Sequence, residues 1–280
     1  MEYVTLNNGV KMPALGFGVY LVDDLKECEE SVLHAIQSGY RLIDTSSAYF
    51  NEEAVGRAIK KSGVPREELF ITTKLWIQDA GYENAKKGFE ESLRKLQLDY
   101  LDLYLIHQPC GDYYGSWRAM EELYKEGKIR AIGVCNFYSD RLVDLIINNE
   151  VVPAVNQVEF HPYFQQKKEQ EIMKEYNVQM EAWSPLGHGG DVLSDAALVK
   201  IGEKYGKSPA QIILRWDVQK GIVTIPKSVH KERIEENFDV FDFALTDEEM
   251  KQIDDLDCNR FIADLRDVEL VKSLNALKVR

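Results

Sequence analysis

The stretch LFITTKLWIQDAGYENAKKGFEESLRKLQLDYLDLYLIH, residues 69–107, decides the fold. Residues 69–75 and 100–107 are short and apolar, which predicts two strands that are buried on both faces. Between them, Phe89, Leu93 and Leu96 recur at helical spacing, which predicts an amphipathic helix. A strand, a helix and a second strand in this order favour two parallel strands joined by a crossover helix.

The same alternation of strand and helix runs through the rest of the chain. Counting from residues 15–20, eight apolar segments are predicted as strands, the last at residues 221–227, and helical patterns follow each of them. Residues 4–15 precede them and predict a hairpin around Asn8-Gly9. We therefore predict an α/β fold, a (β/α)8 TIM barrel with an N-terminal β-hairpin, in a single domain covering residues 1–280.

An open, doubly wound sheet is the alternative architecture. Such sheets often bind dinucleotides through a GxGxxG sequence that follows a strand. The Gly-Phe-Gly sequence at residues 16–18 lacks the third glycine, and no helix follows it immediately. The pattern therefore favours the barrel.

The composition restricts the class of function. The chain has 280 residues, 45% of them hydrophobic, and a formal net charge of −13, which disfavours binding to nucleic acids or anionic membranes. The four cysteines are far apart, and the five histidines lack ligand spacing, so we predict neither a disulfide framework nor a metal site. No apolar run is long enough for a membrane helix, and the N-terminus is unlike a signal peptide, so we expect a cytoplasmic protein.

Polar side chains stand at the carboxyl ends of successive predicted strands, where barrels of this kind hold their chemistry. Asp44 ends the second strand and Tyr49 follows in its loop, while Lys74 and His107 end the third and fourth strands. Each residue alone indicates only where a strand meets water, but together they form a proton-transfer set. We expect the lysine to lower the pKa of the phenol, the carboxylate to keep the lysine charged, and the histidine to polarise a carbonyl oxygen. Since none of these groups donates a hydride, a carbonyl reduction would need an external cofactor.

A second candidate site lies in the sequence IPKSVHKERIEEN, residues 225–237. Lys227 ends the last strand, and Lys231 and Arg233 lie on the helix that follows, near an N-terminus that favours anions. A solvated helix face is the alternative interpretation. In a chain of net charge −13, the cluster favours a phosphate pocket, because loops after the last barrel strands often bind phosphate.

Eight motifs, in order and at appropriate spacing, resemble the aldo-keto reductase superfamily over almost the whole chain, in particular bacterial diketogluconate and methylglyoxal reductases. They are LGFGVY (15–20), DTSSAYFNE (44–52), TKLW (73–76), LIHQP (105–109), GKIRAIGVCNF (127–137), NQVEFHPY (156–163), WSPLG (183–187) and IPKSVHKERIEEN (225–237). The resemblance implies a barrel that binds NADPH (NADP+) without a Rossmann fold. It also implies an NADPH-dependent oxidoreductase of the alcohol dehydrogenase (NADP+) type, which acts as a monomer on a small-molecule carbonyl substrate.

The resemblance implies roles for individual residues. Tyr49 would be the general acid/base, Lys74 and Asp44 would tune it, and His107 would orient the carbonyl. The implied cofactor-binding residues are Gly18, Val19, Tyr20, Asp44, Cys135, Asn136, Gln157, Trp183, Ser184, Leu186, Lys227, Ser228, Arg233, Glu236 and Asn237. The implied substrate-binding residues are Tyr20, Tyr49, Phe50, Trp76 and His107.

Four residues depart from the usual pattern of the superfamily, namely Phe50, Gln108, Cys135 and Trp183. Because the segments after the fourth and seventh strands are short, we expect a shallow, open substrate site. Two other functions remain compatible with the sequence. One is a non-catalytic, NADPH-binding regulatory member of the same superfamily. The other is an aldolase that forms a Schiff base on Lys74, although Asp44 should keep that lysine protonated.

Overall fold

Parallel strands surrounded by helices form the centre of the computed structural model, which describes residues 1–279. Arg280, the last residue of the predicted domain 1–280, lies outside the described residues. The strands are β1 (Tyr3–Thr5), β2 (Lys11–Pro13), β3 (Gly16–Gly18), β4 (Leu42–Asp44), β5 (Phe70–Leu75), β6 (Leu101–Ile106), β7 (Ile129–Cys135), β8 (Val155–Glu159), β9 (Gln179–Trp183) and β10 (Val223–Thr224).

Strands β3 to β10 form one parallel sheet in sequence order. Hydrogen bonds from Thr224 N–H to the Ala14 carbonyl (3.0 Å) and from Gly18 N–H to the Pro226 carbonyl (3.1 Å) connect its first and last strands. The sheet therefore closes, and the predicted (β/α)8 barrel with an N-terminal hairpin is confirmed.

Helices cover the outside of the barrel. They are α1 (Leu25–Ser38), α2 (Glu52–Ser62), α3 (Tyr82–Leu96), α4 (Tyr113–Lys125), α5 (Ser139–Ile147), α6 (Lys167–Glu175), α7 (Ala196–Tyr205), α8 (Pro209–Gln219), α9 (Lys231–Phe238), α10 (Asp247–Asp254) and α11 (Val268–Ala276). Local sequence sets their ends. Asp24 caps α1 by accepting two backbone N–H groups, and the helix ends at Gly39, whose φ of 112° suits glycine. None of the helices formed by residues 1–279 has both the length and the apolar character needed to span a bilayer.

The N-terminal hairpin covers the end of the barrel opposite the candidate site. Asn7 Nδ2 donates to the Pro153 carbonyl (3.0 Å) and Asn8 Nδ2 to the Arg130 carbonyl (2.9 Å), where β8 and β7 begin. Leu6 and Met12 are buried in one cluster with residues of the barrel interior. The hairpin thus closes the amino-terminal end of the barrel and leaves the carboxyl-terminal end open.

Two local features differ from the sequence prediction. The strand predicted at residues 221–227 is reduced to Val223–Thr224, because Pro226 lacks the N–H that would extend the ladder. Helix α11 was not predicted. Its first turn is capped by Asp267, which accepts the Leu270 N–H at 2.8 Å, but none of its residues is fully buried, so no strong apolar face marked it in the sequence.

A layer of buried polar side chains crosses the barrel interior near its open end. Asp44, Lys74, Gln157 and Glu181 come from four strands, and each is at most 2% exposed. Gln157 Nε2 donates to Asp44 Oδ2 and to Glu181 Oε2, each at 2.9 Å. One amide therefore connects two carboxyl groups in a layer that has a single ammonium.

Glu181 is held as a neutral acid in this layer. Burial raises its pKa to about 8, and the nearby Asp44 carboxylate adds to the shift. Its Oε1 has no hydrogen-bond partner among the described residues. A charge on Glu181 would thus be poorly compensated, which is why the protonated form is favoured.

We predict that Glu181 makes the folded state less stable as pH rises from about 5 to about 8. The folded pKa is raised, so the native state holds a proton that the unfolded state releases across this range, and stability is lost as pH approaches the folded pKa. This group alone should lower the free energy of unfolding by up to about 1.4 kcal/mol per pH unit. Urea unfolding at a series of pH values measures the slope.

Glu181→Gln should flatten that slope, since glutamine does not titrate. Glu90→Gln, which changes an exposed glutamate on α3, should leave it unchanged. Equal slopes for wild type and Glu181→Gln would contradict a neutral Glu181.

Candidate active site

Lys74 lies at the centre of the site. Its ammonium donates to Asp44 Oδ1 (2.5 Å), to the Thr45 carbonyl (2.9 Å) and to Tyr49 Oη (3.4 Å). Burial opposes the charge, but the charge and hydrogen bond of Asp44, together with Tyr49 and Cys135, more than offset it, so the pKa of Lys74 is raised. With all three protons donated, the nitrogen has no lone pair for a carbonyl carbon, which disfavours the Schiff-base alternative.

A short loop after β4 positions Tyr49. Residues Ser47–Tyr49 form a single 3-10 turn, and Phe50 follows with a left-handed φ of 59°. The buried Asn51 holds the loop, because its side chain donates to the Val19 carbonyl (2.9 Å) and accepts from Thr45 Oγ1 (2.8 Å). The phenol is therefore fixed over the lysine by backbone geometry.

His107 stands directly after β6, beside the phenol. Its ring packs edge-on against Tyr49 and Trp76, with ring centroids 5.5 Å and 5.1 Å apart. Burial and the positive charge of Lys74 hold its pKa well below the usual range of histidine. His107 is thus a neutral imidazole, suited to donating one hydrogen bond rather than to carrying a charge.

The protonation of Tyr49 differs from the expectation. Lys74 does lower the pKa of the phenol, but burial has the larger effect, and Asp44 opposes ionisation too, so the pKa is raised. The 3.4 Å hydrogen bond from Lys74 is weak and lowers the pKa only slightly. The phenol of Tyr49 is therefore protonated and has a proton to donate.

A cavity of about 910 Å³ opens above these residues. Most residues predicted for the site line it, including Asp44, Tyr49 and His107 of the catalytic set, while Lys74 lies buried beneath Tyr49. The other predicted residues in its wall are Gly18, Tyr20, Trp76, Asn136, Gln157, Trp183, Ser184, Leu186, Lys227, Ser228, Arg233, Glu236 and Asn237.

Besides Lys74, three predicted residues do not line the cavity. Val19 is buried, and its carbonyl holds the loop through Asn51. Cys135 is buried in β7, where burial raises the pKa of its thiol well above the usual range. Phe50 is 57% exposed, since the left-handed backbone turns its ring towards solvent.

Hydrogen bonds to its neighbours orient the Asn136 amide in the cavity wall. Trp183 Nε1 donates to Asn136 Oδ1 (2.8 Å), and Asn136 Nδ2 donates to the backbone carbonyl of His107 (3.3 Å). One proton on Nδ2 stays available to a ligand. The indole of Trp183 is partly exposed and contributes an aromatic face to the same wall.

The far end of the cavity is cationic. Lys227 and Arg233 are exposed there, and neither forms an ion pair within residues 1–279. Lys231, which the sequence grouped with them, does not line the cavity. Two unpaired cations in a chain of net charge −13 indicate an anion site.

The C-terminal segment forms a wall that the sequence prediction missed. Apolar residues of this wall are Ile262, Ala263, Leu265, Leu270, Leu274 and Leu277. Trp76 Nε1 donates to the Leu277 carbonyl (3.1 Å), and the Val279 N–H donates to Gln78 Oε1 (2.7 Å), which attaches the segment to the barrel. The site is therefore deeper than the expected shallow mouth. The leucines at 270, 274 and 277 recur at helical spacing and were a weak sequence signal of this wall.

Comparisons with known proteins identify the family of the chain. Residues 14–257 match the model of the Aldo/keto reductase family. A glyoxal reductase of Bacillus subtilis (strain 168) is 56% identical over 256 residues, which cover 91% of this chain and 92% of the relative.

Solved structures agree as well. An aldo-keto reductase from a Medee basin deep-sea metagenome library superposes with a TM-score of 0.91 at 45% identity, covering 94% of this chain and 97% of that one. A Bombyx mori aldo-keto reductase, solved in complex with NADP, superposes with a TM-score of 0.90 at 35% identity, covering 97% and 96%. The chain belongs to the aldo/keto reductase family.

Proposed function

We propose that this oxidoreductase reduces small aldehydes and ketones to alcohols with NADPH, as a monomer in the cytoplasm. One observation carries the proposal. A protonated phenol, held by a buried ammonium and placed beside a neutral imidazole, lines the same cavity as two unpaired cations. The phenol and the imidazole could donate hydrogen bonds to a carbonyl oxygen, and the two cations could bind the phosphates of a cofactor.

The residues present fit NADPH. Lys227 and Arg233 would bind its phosphates, including the extra phosphate of the adenosine ribose, which NADH lacks. Trp183 would stack on the nicotinamide ring, and the Asn136 and Gln157 amides would bind the carboxamide. Gln157 Nε2 is committed to two carboxyl groups, so its Oε1 would accept the bond. When bound, the cofactor supplies the hydride that no side chain of this site can supply.

Side chains of this chain would donate the proton that the substrate oxygen needs. The substrate oxygen would accept hydrogen bonds from Tyr49 Oη and from the His107 imidazole, which polarises the carbonyl. As negative charge develops on that oxygen, Tyr49 would transfer its proton to it. Lys74 would stabilise the resulting phenolate, and Asp44 would hold Lys74 in place.

The C-terminal wall would shape the substrate end. It is apolar, and the charged side chains of the cavity lie towards the cofactor end or beneath the phenol. Small carbonyls with apolar substituents would pack there, and water would be excluded from the reacting atoms. The Bacillus subtilis relative is a glyoxal reductase, which makes small dicarbonyls such as methylglyoxal the first substrates to test.

Tyr49→Phe should abolish most carbonyl reduction while it leaves cofactor binding intact. The substitution removes the acidic proton and keeps the ring, so we expect kcat to fall by about 10²-fold or more. NADPH oxidation with a panel of aldehydes, ketones and dicarbonyls measures turnover, and quenching of tryptophan fluorescence measures the NADPH Kd.

Tyr3→Phe is the matched control, since Tyr3 is exposed on the hairpin at the other end of the barrel. Wild-type turnover by Tyr49→Phe would show that Tyr49 is not the acid. Tight NADPH binding by the wild type without oxidation by any carbonyl would favour the regulatory alternative instead.

Arg233→Leu should weaken NADPH binding and leave NADH binding nearly unchanged. A charge-assisted hydrogen bond contributes about 1.5–3 kcal/mol, so the NADPH Kd should rise on the order of 10–100-fold. Lys231→Leu is the matched control, because Lys231 lies on the same helix but outside the cavity. A parallel rise in both Kd values would contradict a 2′-phosphate contact.

A further inference from the structure

Ser46 contacts His107 directly. Its Oγ lies 2.9 Å from Nδ1 of the imidazole, and Ser46 is completely buried. Ser46 follows Thr45 at the end of β4, between Asp44 and the turn that carries Tyr49, whereas His107 follows β6. The contact therefore connects the loop of the proposed acid to the proposed carbonyl-orienting residue.

The direction of this hydrogen bond follows from the protons available. Ser46 Oγ already accepts the Ala48 N–H at 3.2 Å, as the cap of the 3-10 turn. A hydroxyl has one proton to donate, and among the described residues His107 Nδ1 is the sole acceptor within reach of it. If Nδ1 carried a proton, that hydroxyl proton would be buried without an acceptor, which costs about 1–3 kcal/mol. Ser46 is therefore the donor and Nδ1 the acceptor.

The direction of this hydrogen bond determines which nitrogen of the His107 ring carries the proton. A neutral imidazole has one proton, so an accepting Nδ1 leaves that proton on Nε2. No side chain of residues 1–279 takes the Nε2 proton within hydrogen-bond distance, and His107 lines the cavity. The proton is thus available to a substrate oxygen.

We propose that Ser46 is a positioning residue, which keeps neutral His107 in the tautomer that offers Nε2–H to the carbonyl. The role deepens the proposed function and rests on it for its catalytic meaning. Ser46 itself touches neither substrate nor cofactor. The tautomer of His107, however, is a property of the folded chain and can be measured without any enzymatic reaction.

The direct test is nitrogen NMR of protein that carries ¹⁵N-labelled histidine. In the wild type, the signals of His107, identified by their loss in His107→Gln, should show a protonated Nε2 and an unprotonated Nδ1. Ser46→Ala removes the hydroxyl without adding bulk, and it should shift both nitrogens towards a mixture of tautomers. Ser47→Ala removes the neighbouring hydroxyl, which bonds the Lys74 carbonyl at 2.9 Å instead, and should leave the His107 signals in place.

Kinetics give the second readout. Ser46→Ala should lower kcat/KM for a carbonyl about 5–10-fold, the value of one hydrogen bond, while the NADPH Kd changes less than about twofold. In a His107→Gln background, which has no tautomers, the same substitution should have little further effect.

Two results would overturn the proposal. One is a wild-type His107 protonated on Nδ1, and the other is an unchanged His107 spectrum in Ser46→Ala. If the spectra behave as expected but wild type reduces no carbonyl, the proposed function fails and the tautomer assignment stands.

Discussion

A fully buried ammonium, that of Lys74, is the constraint on which the rest of the site depends. Moving such a charge out of water costs several kcal/mol unless close partners compensate for it. Asp44, the Thr45 carbonyl and Tyr49 Oη provide them, and the first two come from the end of the adjacent strand. The β4–β5 register, with Asp44 opposite Thr72, places the carboxylate within reach of the next inward-facing residue. Pairing of β4 with β5 therefore brings Asp44 and Lys74 together.

Burial and this charge together set the protonation of the neighbouring groups. The Lys74 ammonium forms an ion pair with Asp44. Glu181 is connected to Asp44 only through Gln157, and it stays protonated. Burial keeps His107 neutral, and the positive charge of Lys74 acts in the same direction. Lys74 favours ionisation of the phenol, but burial and Asp44 oppose it more strongly. The neutral phenol of Tyr49 and the neutral imidazole of His107 therefore face the cavity, and the charged Asp44 and Lys74 are buried.

Sequence periodicity predicted the barrel because its strands are buried on both faces and therefore read as apolar runs. It also predicted Asp44, Lys74 and His107, because strand ends share one edge of the barrel. Features that depend on long-range packing were missed. Helix α11 has no fully buried residue, so its pattern was weak, yet it lines the cavity. Likewise, nothing local distinguishes Ser46 from Ser47, and their different partners, His107 and the Lys74 carbonyl, come from other strands.

The proposed substrate and cofactor regions of the site meet at His107, through different atoms. The imidazole carries the hydrogen bond of Ser46 at Nδ1, whereas the backbone carbonyl of the same residue accepts from Asn136 Nδ2. Asn136 is in turn fixed by the Trp183 indole. A tautomer change or a ring rotation breaks the first contact and leaves the second intact, since a backbone carbonyl does not move with the side chain. In the proposed function, orientation of the carbonyl and placement of the nicotinamide would thus be separable, although one residue would serve both.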